Sequence, residues 1–268
     1  MRGPLAGLAG LLAVLALAVA LPATWVSTHL ADEDGFVSLA RDVTAADAVR
    51  DSAADVVADR LVEDAGLPGG DAVRELVLAA ADRALDSRRV SAAWEETLRR
   101  THAAVLSGEA SSTGTIPLDL APLAALVAAR TEGLVAAPEQ LVVEVPGGPS
   151  ALTVRAVERS PAVALLAGAV GLGAAAVALV AARRRGAAIA WLGVGAVLVA
   201  VADAGLARLV RDRAVTEAGG DGPQGGLVRA LVDVGVASFD AWLVWTALAG
   251  GLALVVGAAF ALVGRRAA

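Results

Sequence analysis

Few side chains in this sequence could do chemistry, and they fall in three places. His29 stands in "THLADEDGF", beside Asp32, Glu33 and Asp34. One imidazole and several carboxylates at that spacing could hold a divalent cation through oxygen-rich ligation. No further acid follows at the offset a calcium loop needs, so the same residues also read as a solvated acidic turn at a membrane surface. The second histidine, His102, lies beside the apolar stripe Trp94, Leu98 and Val105 and reads as a histidine at the edge of a core. Asp203 and Asp240 stand near the outer ends of long apolar runs. A carboxylate inside hydrocarbon is costly, so such acids are functional candidates, and Arg208 or Arg211 could pair with Asp203. The absence of cysteine excludes disulfides, thiolate metal sites and cysteine nucleophiles. No Gly-x-Ser-x-Gly, His-Glu-x-x-His, phosphate-loop or dinucleotide-binding pattern occurs. These patterns assign no catalytic residue, no metal centre and no cofactor, and the expectation is a protein that is not an enzyme.

The elements that carry these residues are mostly apolar. Of 268 residues, 57% are hydrophobic, against about 45–50% in soluble domains. All 22 basic residues are arginine, and the net charge of −6 gives no sign of a nucleic-acid partner. Pro4–Val26 holds no charge, and its length of about 34 Å exceeds a ~30 Å hydrocarbon core. Three further runs cover 161–182, 187–206 and 241–263. Between the second and third stand Arg183, Arg184 and Arg185. Three arginines at mid-membrane would cost roughly 8–10 kcal/mol, so this triplet must turn a hairpin, and short arginine-rich loops stay cytoplasmic. Arg2 before the first run, and Arg265 and Arg266 after the last, fall on the same side if all four runs cross. Arg208, Arg211 and Arg213 argue the other way, offset by Asp203 and Asp212.

The resulting expectation is a multi-pass plasma-membrane protein with both termini cytoplasmic. Its fold class is membrane α-helical: four transmembrane helices, with a mostly helical α+β extracytoplasmic domain inserted between spans 1 and 2. Residues 1–26 form the first span, 27–160 the outer domain, and 161–268 a three-span membrane domain with an outer loop at 207–240. The competing reading of the first run is a cleaved signal peptide ending near "ALPA", Ala20–Ala23. The length of the run and Trp25, suited to an interface, favour retention. Either way the next block lies outside.

That block holds 22 acidic residues and 12 arginines, the composition of a solvated surface that would favour basic partners. Thr44 and Asp47, in capping-box spacing, open a helix that Gly66 and Pro68 stop. A second helix spans 71–86, with Val73, Leu76, Val77 and Ala80 on one face. A third starts at Ser91 with Trp94, Leu98, Val105 and Leu106 inside. A strand at Thr115–Leu120 follows, then a helix from Pro122 to about Glu132. "LVVEV" and "ALTVRAV" read as strands joined by "PGGPS". Residues 217–226 read as a linker, and "LVRALVDVGVASF" as an amphipathic lead into the last span. Trp242 and Trp245 suit an aromatic belt, and Gly168, Gly171, Gly173, Gly193, Gly195, Gly250, Gly251 and Gly257 suit close helix contacts within the bundle.

In "DEDGFVSLARDVTAADAVRDSAADVVADRL", in "WEETLRRTHAAVLSGE" and in "IPLDLAPL", the chain resembles a group of uncharacterised actinobacterial integral membrane proteins. The resemblance implies an amino-terminal span, an extracytoplasmic domain and carboxyl-terminal spans in a bacterial plasma membrane. It carries no catalytic residue. The expected function is that of a non-enzymatic envelope protein whose outer domain binds a partner or ligand. The alternative is a membrane sensor or transporter-accessory subunit acting through helix contacts. The expected partners are the lipid bilayer and another membrane or envelope protein; the number of copies is not fixed by these patterns.

Overall fold

The computed structural model describes residues 2–44, 57–59, 61–62, 70–85, 89–107, 115–130, 136–146, 150–217 and 223–266. Helix α1 is Arg2–Val26 and continues through a π-helical turn at Ser27–Ala31; α2 is Glu33–Thr44, α3 Gly70–Leu85 and α4 Val90–Leu106. Strand β1, Thr115–Asp119, precedes α5, Ala121–Ala128, and β2, Val142–Pro146. Three long helices close the chain: α6 Ala151–Ala181, α7 Arg185–Glu217 and α8 Pro223–Arg266. Two compact units result, one of residues 1–31, 157–213 and 235–268, the other of residues 32–156 and 214–234.

The first unit is a bundle of four helices long and apolar enough to cross a membrane, at Pro4–Ala31, Leu152–Ala181, Arg185–Thr216 and Val232–Val263. Its large side chains point outward: Leu165, Leu172 and Val180 on α6 are 76–78% exposed, as are most leucines of α1 to a lesser degree. In water so continuous an apolar exterior would aggregate; against lipid it is the favourable surface. The interior is mostly small instead, with Ala13, Ala16, Ala174, Ala178 and Ala200 buried alongside Val199, Phe239 and Leu243. Two threonine hydroxyls within the spans bond to their own helix. Thr24 Oγ1 donates to Ala20 O at 2.7 Å, and Thr246 Oγ1 to Trp242 O at 3.0 Å. This satisfies hydroxyls that hydrocarbon cannot.

Glycines set how the helices pair. A Cβ on Gly193 would lie 2.5 Å from Gly250 O and 2.6 Å from Leu254 N; one on Gly186 would lie 2.7 Å from Ala261 N. Helices α7 and α8 therefore run antiparallel with their backbones in contact, as small-residue interfaces permit. On α1, Val14 packs at Gly195 and Ala16 at Gly171, while Leu21 and Trp25 pack among Ala200, Ala204 and Ala207 further along α7. So α1 and α7 run in the same direction. The start of α1, the Arg183–Arg185 turn and the end of α8 thus share one end of the bundle. Of the glycines expected to pack, Gly171, Gly193, Gly195, Gly250 and Gly257 do. Gly168, Gly173 and Gly251 face open space: a Cβ added at any of them would meet nothing within 4 Å.

The second unit is built on an apolar core. Val57 and Leu61, Val77 and Ala81 of α3, Ala93 and Trp94 of α4, and Leu123, Ala124 and Val127 of α5 pack together with Leu120 and Leu141. Strands β1 and β2 form an antiparallel pair in register Thr115↔Pro146 to Asp119↔Val142. Helix α4 lays a buried stripe along Trp94, Thr97, Leu98, Thr101 and His102, at three- and four-residue steps. Outside it, Glu95 receives Arg41 at 2.9 Å and Arg99 at 3.8 Å, exposed pairs worth at most about 1 kcal/mol each.

Several expectations are corrected. "ALTVRAV" is not a strand but the first turns of α6, and the strand partner of β2 is β1. The second apolar helix begins at Ala151 rather than at 161, with Pro161 inside it; the outer loop shrinks because α7 reaches Glu217 and α8 starts at Pro223. Thr44 ends α2 instead of opening a helix, while Asp47, Gly66, Pro68 and Glu132 lie outside the described residues. On α3, Leu76 is exposed, and the inner face is Val77, Ala80 and Ala81.

Candidate functional site

The acidic segment after α1 has a local structural role. Asp32 precedes α2, and its Oδ1 accepts the Gly35 N–H at 2.8 Å. Its backbone carbonyl takes the Phe36 N–H at 2.9 Å. This is an N-cap bond to the third helical residue, which satisfies one of the four unpaired amides of a helix start. Glu33 and Asp34 fill the first turn, where the helix dipole favours negative charge. Glu33 also pairs with Arg99 Nε at 3.3 Å. Among the described residues no three His, Asp or Glu side chains group as a metal site would need. Replacing Asp32 by alanine should cost about 1 kcal/mol of local stability. Hydrogen exchange should report it as faster exchange confined to amides 34–37.

His29 is held in the bundle unit by the π-helical turn. Its ring stacks on Trp25 with centroids 5.2 Å apart at 14°, and meets Trp242 edge-on at 5.8 Å. Its Nδ1 lies 2.8 Å from Thr28 Oγ1 and 3.1 Å from Trp25 O. Trp25 in turn meets Phe239 edge-on at 5.6 Å and donates its indole N–H to Ser238 Oγ at 3.3 Å. Four aromatic rings from α1, its π-helical extension and α8 are therefore linked in one cluster, packed against the alanines of α7.

Asp203 lies on that same face of α7, one turn from Ala200 and from Ala207. It is 7% exposed, and its Oδ2 has no hydrogen-bond partner. Neither suggested arginine neutralises it. Arg211 donates to Asp212 at 3.3 Å instead, and Arg208, five residues on, sits about 140° around the helix. Asp240, half-buried on α8, falls within the fourth apolar helix rather than before it. Trp242 also lies ten residues into that helix, not at its entrance. Alongside the cluster runs an apolar groove of about 640 Å³, walled by Leu17, Leu192, Ala196, Trp242 and Trp245.

In the domain unit His102 packs against Phe36 at 5.1 Å between centroids and is buried. Thr97 Oγ1 and Trp94 Nε1, on the same helix, are buried without hydrogen-bond partners; neither atom stands out from the sequence, where Trp94 counts only as an apolar stripe residue. The other polar feature missed is Asp119. Its Oδ2 receives Arg100 Nη1 at 2.9 Å, and its Oδ1 the amides of Ala121 at 3.0 Å and Leu141 at 3.2 Å. Burial by itself raises this carboxyl, but the Arg100 bond and the two amides outweigh it and hold the group below the usual carboxylate range.

No family model, curated protein or solved structure matches the chain.

Proposed function

We propose that this is a non-enzymatic integral membrane protein of the bacterial cell envelope, with both termini and the Arg183–Arg185 turn cytoplasmic. The block between the first two apolar helices, residues 32–151, then lies outside the membrane and binds a partner or ligand. The observation that carries the orientation is the gathering of the chain's start, the arginine turn and the end of α8 at one end of the bundle. Arginine at short loops and termini is retained on the cytoplasmic side, and here three separate elements give one answer. The binding role rests on the domain's chemistry. Its buried His102 packs against Phe36, and its net charge is strongly acidic.

The chain lacks cysteine, so single cysteines report position cleanly. Arg130→Cys should react with a membrane-impermeant maleimide on intact cells, and Arg184→Cys only after permeabilisation. The reverse pattern would invert the topology. Capture of a reproducible membrane or envelope protein in mild detergent tests the binding role, and transport by the purified protein alone would overturn it.

A second reading, a sensor or transporter-accessory subunit, is favoured by the backbone contacts between α7 and α8. An interface without intervening side chains converts a small helix displacement into a discrete change of register.

A further inference from the structure

We propose that the groove in the bundle seats an acyl chain of an anionic phospholipid, whose phosphate group meets the arginine turn at Arg185. The groove wall carries no charge, and Thr246 supplies its one hydroxyl. On α7 the wall is Ile189, Leu192 and Ala196. Arg185 stands one turn before Ile189, so Arg185, Ile189, Leu192 and Ala196 follow at steps of four, three and four. That spacing is one face of a helix. The face that lines the groove therefore begins with an arginine, and Arg185 is exposed. Leu179 of α6, four residues before Arg183, lines the groove at the same end. Because α8 runs antiparallel to α7, Trp242 and Trp245 lie toward the far end. From Arg185 to Ala196 the face is about 16 Å long, about half of a 30 Å hydrocarbon core and so the depth of one leaflet.

The charge at the mouth selects the occupant. Arg183, Arg184 and Arg185 are exposed, and among the described residues none of them has an acidic partner. No acid occurs in the sequence between Glu158 and Asp203. Arg265 and Arg266 end α8 at the same end of the bundle. A phosphodiester carries the opposite charge, and a guanidinium group binds it in a bidentate fork. Basic sites beside membrane helices take anionic head groups on this basis. The competing occupant is a helix of a second copy. Inserted the same way up, that copy would bring its own arginine turn to the same level, where like charges repel. A phospholipid places negative charge at that level and an alkyl chain below it, matching both parts of the site. The inference rests on the four helices crossing the bilayer, not on which side the turn lies.

The test uses full-length protein in phosphatidylcholine nanodiscs containing a minor share of lipid with brominated acyl chains, which quench tryptophan on contact. The groove signal is the difference in quenching between the protein and its Trp242→Phe/Trp245→Phe variant. Brominated phosphatidylglycerol should occupy the groove about tenfold more tightly than brominated phosphatidylcholine, the size of one charge-assisted contact. Equal quenching by the two overturns the proposal, as does none, the result expected for a second copy in the groove. Arg185→Gln should cut the preference by at least about fivefold, the worth of one arginine near an anionic surface, and a smaller loss overturns the head-group site. Ala249→Phe, which fills the groove from an exposed position on α8, should reduce the groove signal with every arginine intact. Unchanged quenching would overturn the proposal, since the arginines would then gather lipid without the groove. This variant keeps the test decisive if Arg185→Gln fails to insert. Wild-type protein that stays outside the discs would overturn the spanning reading and the lipid site with it, a failure distinct from equal quenching.

Discussion

Gly193→Leu should lower the thermal midpoint of the purified protein in mild detergent by at least about 5 °C, corresponding to roughly 2–3 kcal/mol. At this position even a methyl group has no room: its carbon would lie 2.5 Å from Gly250 O and 2.6 Å from Leu254 N. Those atoms are backbone, so no rotamer change relieves the overlap, and α7 and α8 must separate. Separation forfeits dispersion contacts along the whole crossing, because lipid offers no hydrophobic penalty to drive the helices back together. Gly257→Leu should act alike, since its added carbon would strike Ala190 N and Gly186 O. Gly251→Leu supplies the control on the same helix, with nothing within 4 Å to strike, and should leave the midpoint within about 1 °C, as surface substitutions do. Equal effects at Gly193 and Gly251 would show that this register of α7 on α8 is wrong.

That contrast marks what the sequence makes legible. Whether a run can enter hydrocarbon depends on summed composition, so the four apolar helices and the arginine turn can be read without knowing any contact. Which glycines pack depends on how each helix is rotated, and nothing local distinguishes Gly251 from its neighbour Gly250. The strand reading of "ALTVRAV" fails for a related reason. Arg155, Glu158 and Arg159 dilute the hydropathy, and Pro161 looks like a helix start, so a 31-residue helix reads as a strand followed by a shorter span. Proline within a long membrane helix is tolerated when neighbouring groups satisfy the freed backbone. At the acidic segment the local signal is present: an aspartate followed by two acids is how a helix begins. Its proximity to His29 points to cation chemistry instead. Asp203 is legible as a buried acid, but its lack of a partner is not, because the phase of Arg208 around α7 matters only once the helix continues past 206.

The ion pair of Asp119 has no local signal, since its cationic partner Arg100 lies 19 residues earlier on a different element. Yet Asp119→Ala should cost the domain roughly 2–4 kcal/mol, the penalty of leaving two amide donors and a guanidinium without their acceptor. The carboxylate joins the end of β1, the start of α5 and the residue before β2. The residue at the helix cap, Leu120, offers no side-chain acceptor of its own, so Asp119 takes that role from one position earlier. The effect should appear as faster hydrogen exchange across 115–128 and 141–146 in the full-length protein. Asp119→Asn separates charge from shape. Because the folded carboxyl titrates below its unfolded value of about 3.9, its contribution is complete above that pH. Between the two values the unfolded chain binds a proton that the folded one does not. Stability therefore falls as acid takes the pH below about 4 and through the folded value. Wild-type protection should decline over this interval more steeply than that of Asp119→Asn, and parallel declines would show that the bonds to Arg100, Ala121 and Leu141 do not hold the charge.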